Sequence, residues 1–153
     1  EIAPKPKATT PKYTINPVTK KRELVKGTSG PKLSGYFMKP ANGIRTQGLH
    51  GRNGIDIGAP TGTPIYASAS GSVIVANAGG WGGGYGTYAG ISHSNGTQTL
   101  YAHMSKISVA RGDSVSQGEV LGYVGSTGRS TGPHLHFEVR GAKNPGADGS
   151  WAK

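Results

Sequence analysis

Apolar positions in this chain come in short runs that alternate with polar ones. In His134-Leu135-His136-Phe137-Glu138-Val139 every second residue is aliphatic or aromatic. A period of two marks a strand with one face on a core. Leu135, Phe137 and Val139 are expected to face inward, with His134, His136 and Glu138 together on the other side. The stretch TLYAHMSK (99–106) shows the same period. There Leu100, Ala102 and Met104 alternate with Tyr101 and His103, which predicts a strand with His103 facing away from the core. Residues 63–79 read as two β segments around Ser70-Gly71. Residues 87–104 read as a hairpin with Asn95-Gly96 at its tip, a sequence that favours a type I′ turn. SVSQGEVLGYVG (114–125) reads as another short β pair, and GGWGGGYG (79–86) as a flexible loop. Few segments show helical periodicity. The expected fold is therefore mainly β: a small antiparallel sheet, folded into a sandwich or an open barrel.

The pattern also divides the chain. Residues 1–35 are rich in Pro, Lys and Thr and nearly free of apolar periodicity, so they read as a basic arm or linker. Within them Tyr13-Thr14-Ile15 could add an edge strand. Residues 36–144 form the expected domain, and residues 145–153 read as a C-terminal tail.

Composition sharpens this picture in three ways. The 27 glycines and 10 prolines fall mostly between apolar runs, where turns need them. Net charge is +10, and Lys5, Lys7, Lys12, Lys20, Lys21, Arg22 and Lys26 all lie early in the chain. Such a chain is attracted to polyanions: nucleic acid, anionic lipid or anionic cell-wall polymers. Nucleic acid is not an expected partner, because no basic stretch of the core is interleaved with aromatics. There is no cysteine, which excludes disulfides and thiolate ligands. No apolar run is long enough to span a membrane. The chain starts at Glu1 rather than Met, so any signal peptide is expected to have been removed already.

Five histidines remain to be explained, with one aspartate. His134 and His136 would stand side by side on one strand face, roughly 6–7 Å apart at Cα. That spacing suits two ligands of one metal, or one ligand and one group acting on a metal-bound water. Asp56 lies between Ile55 and Ile57, either as a turn or cap acceptor or as a metal ligand. His93 adjoins the expected turn and reads as a solvated turn residue. The candidates are then His50, Asp56, His103, His134 and His136. Two histidines and an aspartate on Zn²⁺ leave a net +1 centre that acidifies bound water, and spare imidazoles can move protons near neutral pH. A biotinyl- or lipoyl-type carrier is disfavoured, because the hairpin tip reads Ser94-Asn95-Gly96 and offers no lysine. A cupin would need its glutamate further along than Glu138.

Three stretches carry a resemblance: GIDIGAPTGTPIYASASGSV, GYGTYAGISHSNGTQTLYAHMS and GDSVSQGEVLGYVGSTGRSTGPHLHFEVR. Together they resemble the LytM/lysostaphin-type zinc metallopeptidases, peptidase family M23, over about residues 36–141. The resemblance implies a LytM or duplicated-hybrid-motif β fold whose glycine-rich loops form a groove around Zn²⁺. It implies a zinc-dependent endopeptidase, secreted or in the cell envelope and monomeric. The substrate would be the peptide stems or cross-bridges of bacterial peptidoglycan. By the same resemblance Asp56 and His136 match metal ligands, and His103 and His134 match catalytic histidines. One position departs. The usual motif is His-x-x-x-Asp, and four residues before Asp56 stands Arg52, whose guanidinium cannot ligate zinc. His50 lies six residues before Asp56, in the variant spacing His-Gly-x-Asn-x-x-Asp. Either a glycine-rich loop brings His50 to the metal, or the site is degenerate and the domain binds cell wall or regulates another hydrolase.

Overall fold

The computed structural model describes residues 36–152 and, at the level of the backbone, 13–15 and 22–24. Most of the stretch read as a basic arm therefore lies outside the described residues. Within it, β1 (Tyr13–Ile15) and β2 (Arg22–Leu24) pair antiparallel as a two-stranded ladder of their own. The Tyr13 strand is thus not an edge of the main sheet.

The main sheet is built from β3 (Ile44–His50), β4 (Gly54–Gly58), β5 (Pro64–Tyr66), β6 (Gly71–Asn77), β7 (Thr87–His93), β8 (Gln98–Ile107), β9 (Ser114–Val115), β10 (Val120–Val124) and β11 (His134–Arg140). Its order is β3-β4-β11-β8-β7-β6-β9, and β10 bridges β5 and the far end of β8. Every pairing between these strands is antiparallel, in keeping with the short alternating runs. The two β segments expected in 114–125 both form, but not as a pair: β9 joins β6, whereas β10 joins β5 and β8.

One face of the strands supplies the core. Ile55 and Ile57 of β4, Leu135, Phe137 and Val139 of β11, and Ile91 of β7 are fully buried there. Each contributes roughly 1.5–3 kcal/mol by leaving water. On β8 the expected phase is reversed. Tyr101 stands opposite Phe137, and Ala102 opposite His136. Directly opposed residues share a face, so Tyr101 points into the core, and Leu100 and Ala102 lie on the histidine side. Alternation alone would then turn His103 inward. It does not, because His103 has φ 62° and β8 gains an extra residue against β7 at this point. The bulge restarts the alternation, returning His103 to the histidine side and Met104 to the core.

Two local readings need correction. The β7–β8 hairpin forms, but its turn is not type I′. Gly96 has φ 87°, while Asn95 is not among the positive-φ residues, and Gly96 N–H donates to the His93 carbonyl. A turn with one left-handed residue and a bulge fits a three-residue connection, which Ser94-Asn95-Gly96 supplies. His93 is also not solvated. It is buried, its Nδ1–H bonds the Ser70 carbonyl at 2.8 Å, and it packs edge-on against Phe37 and Tyr36.

After β11 the chain packs back on the core. Asn144 is fully buried, with its amide donating to the carbonyls of Asn53 and Phe137. The Trp151 ring lies 5.7 Å from Phe137, and Ala152 N–H donates to the Phe37 carbonyl.

Candidate metal centre

The centre of the sheet brings three strands to one point. His136 on β11 stands directly opposite Asp56 on β4, and β3 reaches the same place through His50. The β3–β4 turn, Gly51-Arg52-Asn53, resolves the irregular spacing. Gly51 and Asn53 both take left-handed backbone (φ 57° each), and β3 carries a bulge between Gln47 and His50. Asn53 fixes the turn by donating to the carbonyls of Val139 and Ala142. The tight turn leaves Arg52 exposed at its tip and turns His50 back toward Asp56. Gly54 is required beside them, because a Cβ there would sit 2.5 Å from His136 Cε1.

One donor atom each from His50, Asp56 and His136 lies within 4.8 Å of the others. His50 Nε2 is 3.3 Å, and His136 Nδ1 2.9 Å, from Asp56 Oδ1. Tetrahedral zinc ligands at 2.0–2.2 Å stand roughly 3.3–3.6 Å apart, so the residues fit such an ion with small adjustment. Neutral imidazole nitrogen and carboxylate oxygen are also the donor set that zinc accepts. His50 is held for this by its Nδ1–H, which donates to the Gly48 carbonyl at 2.7 Å and leaves Nε2 facing the cluster.

Two more imidazoles line the site. His134 Nδ1–H donates to the Gly132 carbonyl, and its Nε2 lies 3.7 Å from Asp56 Oδ2. His103 Nδ1–H donates to the Thr127 carbonyl at 2.7 Å. The His103 ring centre is 4.8 Å from that of His134 and 5.9 Å from that of His136. All five residues singled out from the sequence therefore meet in one half-buried cluster.

The electrostatics follow from this crowding. Burial lowers the His103 pKa, and the neighbouring His134 and His136 lower it further, so its ring stays neutral at pH 7. Burial opposes ionisation of Asp56. The hydrogen bond from His136 and the nearby His134 and His50 outweigh it and hold the carboxyl below its usual range. His136 in the metal-free chain is caught between two carboxylates. Burial works against its charge, but the bonds to Asp56 and Glu138 raise it to about 9.

The sequence reading missed two participants. Glu138, placed on the histidine face but given no task, accepts from His136 Nε2 at 2.9 Å, Tyr85 Oη at 2.6 Å and Arg140 at 3.0 Å. Tyr85 comes from the glycine-rich loop, and its ring stacks near His136. The signal for Glu138 was present in the alternation His-x-His-x-Glu. Nothing around Tyr85 but glycine marked it out. The loops are locked together at Gly86 and Gly128, and Arg129 N–H donates to the Gly84 carbonyl. A separate cavity of about 330 Å³, lined by Lys39, Arg45, Ile57 and Trp151 among others, contains none of these histidines.

Comparison with known proteins agrees with this geometry. Residues 50–147 match the model of peptidase family M23. DD-carboxypeptidase/endopeptidase Mpg of Neisseria meningitidis serogroup B is 55% identical over 106 residues, covering 69% of this chain and 23% of that protein. This chain thus spans about a quarter of that relative's length. A zinc-containing peptidase from Vibrio cholerae superposes with a TM-score of 0.62 at 29% identity, covering 78% of this chain and 45% of that one. The catalytic domain of lysostaphin from Staphylococcus simulans gives 0.55 at 35% identity, covering 78% and 85%.

Proposed function

This chain belongs to peptidase family M23, and from that premise we propose that it is a zinc-dependent endopeptidase cutting peptide cross-links of bacterial cell-wall peptidoglycan. The observation that carries this reading is the convergence of His50, Asp56 and His136 within 4.8 Å, with the His103 and His134 rings beside them. The Neisseria relative named as a carboxypeptidase/endopeptidase and the zinc-containing Vibrio neighbour support it.

His50, Asp56 and His136 would hold the zinc. When bound, the ion supplies a Lewis acid that polarises the scissile carbonyl and lowers the pKa of water at its open position. The chain's own residues supply the rest. His134, whose Nδ1–H donates to the Gly132 carbonyl, turns Nε2 to the site as acceptor for the proton of the attacking water. His103, kept in the same tautomer by Thr127, offers a second. Once protonated, either Nε2–H can donate to the developing oxyanion or to the departing amine. Peptidoglycan lies outside the cytoplasm, so the domain acts there, and a net charge of +10 favours anionic wall polymers as further partners.

The test is to strip the protein with chelator, reload it with zinc and digest purified peptidoglycan, reading the products by mass spectrometry. Cleaved cross-links only in the zinc-loaded sample are expected. A protein that takes up zinc yet releases nothing, or takes up none, is instead a binding or regulatory domain.

A further inference from the structure

Glu138 is a fully buried carboxylate that no candidate ligand set requires. A buried charge persists only where donors compensate it. Here three do. His136 Nε2 and Tyr85 Oη converge on Oε2, at 2.9 and 2.6 Å, and the Arg140 guanidinium meets Oε1 at 3.0 Å. The arrangement has a direction. In the metal-free chain both ring nitrogens of His136 face a carboxylate, Nδ1 toward Asp56 and Nε2 toward Glu138. With a metal held by Nδ1, Asp56 and His50, the one remaining ring proton would sit on Nε2, where Glu138 accepts it. Tyr85 then links two parts of the site. Its hydroxyl holds Glu138, and its backbone carbonyl accepts from His103 N–H at 2.8 Å.

We propose that Glu138 and Tyr85 are positioning residues: Glu138 fixes the tautomer and tilt of His136, and Tyr85 fixes Glu138 while tying the glycine-rich loop to His103. This rests on the reading that His50, Asp56 and His136 hold zinc. Neither residue touches substrate in this role. Glu138 acts through His136, and Tyr85 through Glu138 and the His103 backbone.

The experiment measures zinc affinity by chelator competition in wild type, Glu138→Gln and Tyr85→Phe, with each protein shown to be folded by circular dichroism. Nitrogen-resolved NMR of the zinc-loaded proteins follows the His136 Nε2 proton. Zinc binding is expected to weaken about 10–100-fold in Glu138→Gln, the usual effect of losing a partner of a metal-bound histidine. Tyr85→Phe should weaken it less. In wild type the Nε2 proton should be shifted downfield and protected from exchange, and this signature should fade in both variants. A change in stability alone would not move that proton. If wild type binds zinc and both variants match it in affinity and in the Nε2 signal, the positioning role is wrong and the metal site stands. If wild type binds no zinc, the metal reading fails and takes this one with it. Should Glu138→Gln not fold, Tyr85→Phe decides alone by the same two readouts.

Discussion

The rings of His103 and His134 lie 4.8 Å apart, and His103 reaches that position only because its backbone is left-handed, with φ 62°. A non-glycine residue held there stores roughly 1–3 kcal/mol of strain, which the surrounding bonds must offset. Here they are Tyr85 O to His103 N–H and Thr127 O to Nδ1–H. Such strain in a polar residue outside the hydrophobic cluster points to a task in the site. His103→Ala and His134→Ala are each expected to retain zinc while lowering kcat by about 100-fold or more, the usual share of a general acid or base. Zinc content and turnover on peptidoglycan measured on the same preparations check this. Loss of zinc in either variant would move that residue among the ligands.

His50 and Arg52 make opposite predictions. His50 Nε2 is 3.3 Å from Asp56, while Arg52 is exposed at the tip of the turn. His50→Ala should lower zinc affinity sharply and abolish hydrolysis. Arg52→Ala should leave both near wild type, since exposed positions usually shift stability by no more than about 0.5 kcal/mol. Titration of zinc into the two stripped proteins separates the cases.

What could be read in the sequence depended on whether burial imposed a pattern. β11 was legible because Leu135, Phe137 and Val139 face a core and the three polar residues between them do not. β3 and β4 carry two of the three candidate ligands, yet neither stood out as a strand. Gly48, Gly54 and Gly58 erase their alternation, and β3 lies at the sheet edge with most residues exposed. His103 was placed on the correct side by an argument with the wrong phase. The local pattern could not show that Tyr101 pairs with Phe137, nor that a bulge intervenes. The partnership of Tyr85 with Glu138 joins a loop to a distant strand, and no local spacing encodes it.

His93 should set a pH dependence independent of the metal. Its Nδ1–H donates to Ser70 O, its Nε2 accepts from Thr99 Oγ1, and Thr99 and Ser68 N–H both bond the Tyr101 hydroxyl. This chain runs in one direction only if Nε2 is bare, because a proton there would leave a buried donor unpaired. Burial accordingly lowers the His93 pKa below 6.5. The unfolded state then binds more protons than the folded one between the depressed value and about 6.5, so stability rises with pH across that window. Above it the contribution is fully present, and it is lost as the pH falls toward the folded pKa. In urea titrations wild type should lose more stability between pH 7.5 and pH 5 than His93→Gln, which has nothing to titrate. Equal losses would show that His93 is protonated in place without penalty.

The contact between Gly86 and Gly128 supplies the last prediction. Both residues have positive φ, 68° and 72°. A Cβ on Gly86 would lie 2.5 Å from Gly128 N and Thr127 Oγ1, and one on Gly128 would lie 2.4 Å from Gly86 N. Backbone atoms cannot yield as a side chain can, so either substitution must part the two loops. Thr127 sits at the junction. Its hydroxyl donates to Met104 O and accepts from Thr87 N–H, while its carbonyl holds His103. Parting the loops therefore frees the His103 ring, while the β3–β4 turn and β11 lie outside the junction and are reached from it through Tyr85 and its bond to Glu138. Gly86→Ala and Gly128→Ala are each expected to lower kcat at least tenfold, because small displacements of a catalytic group are costly. Zinc affinity should fall no further than in Tyr85→Phe, because the junction reaches the ligands through the Tyr85–Glu138 bond. A Gly86→Ala protein that loses zinc more severely than Tyr85→Phe would show that the loop junction supports the metal cluster by a route besides Tyr85.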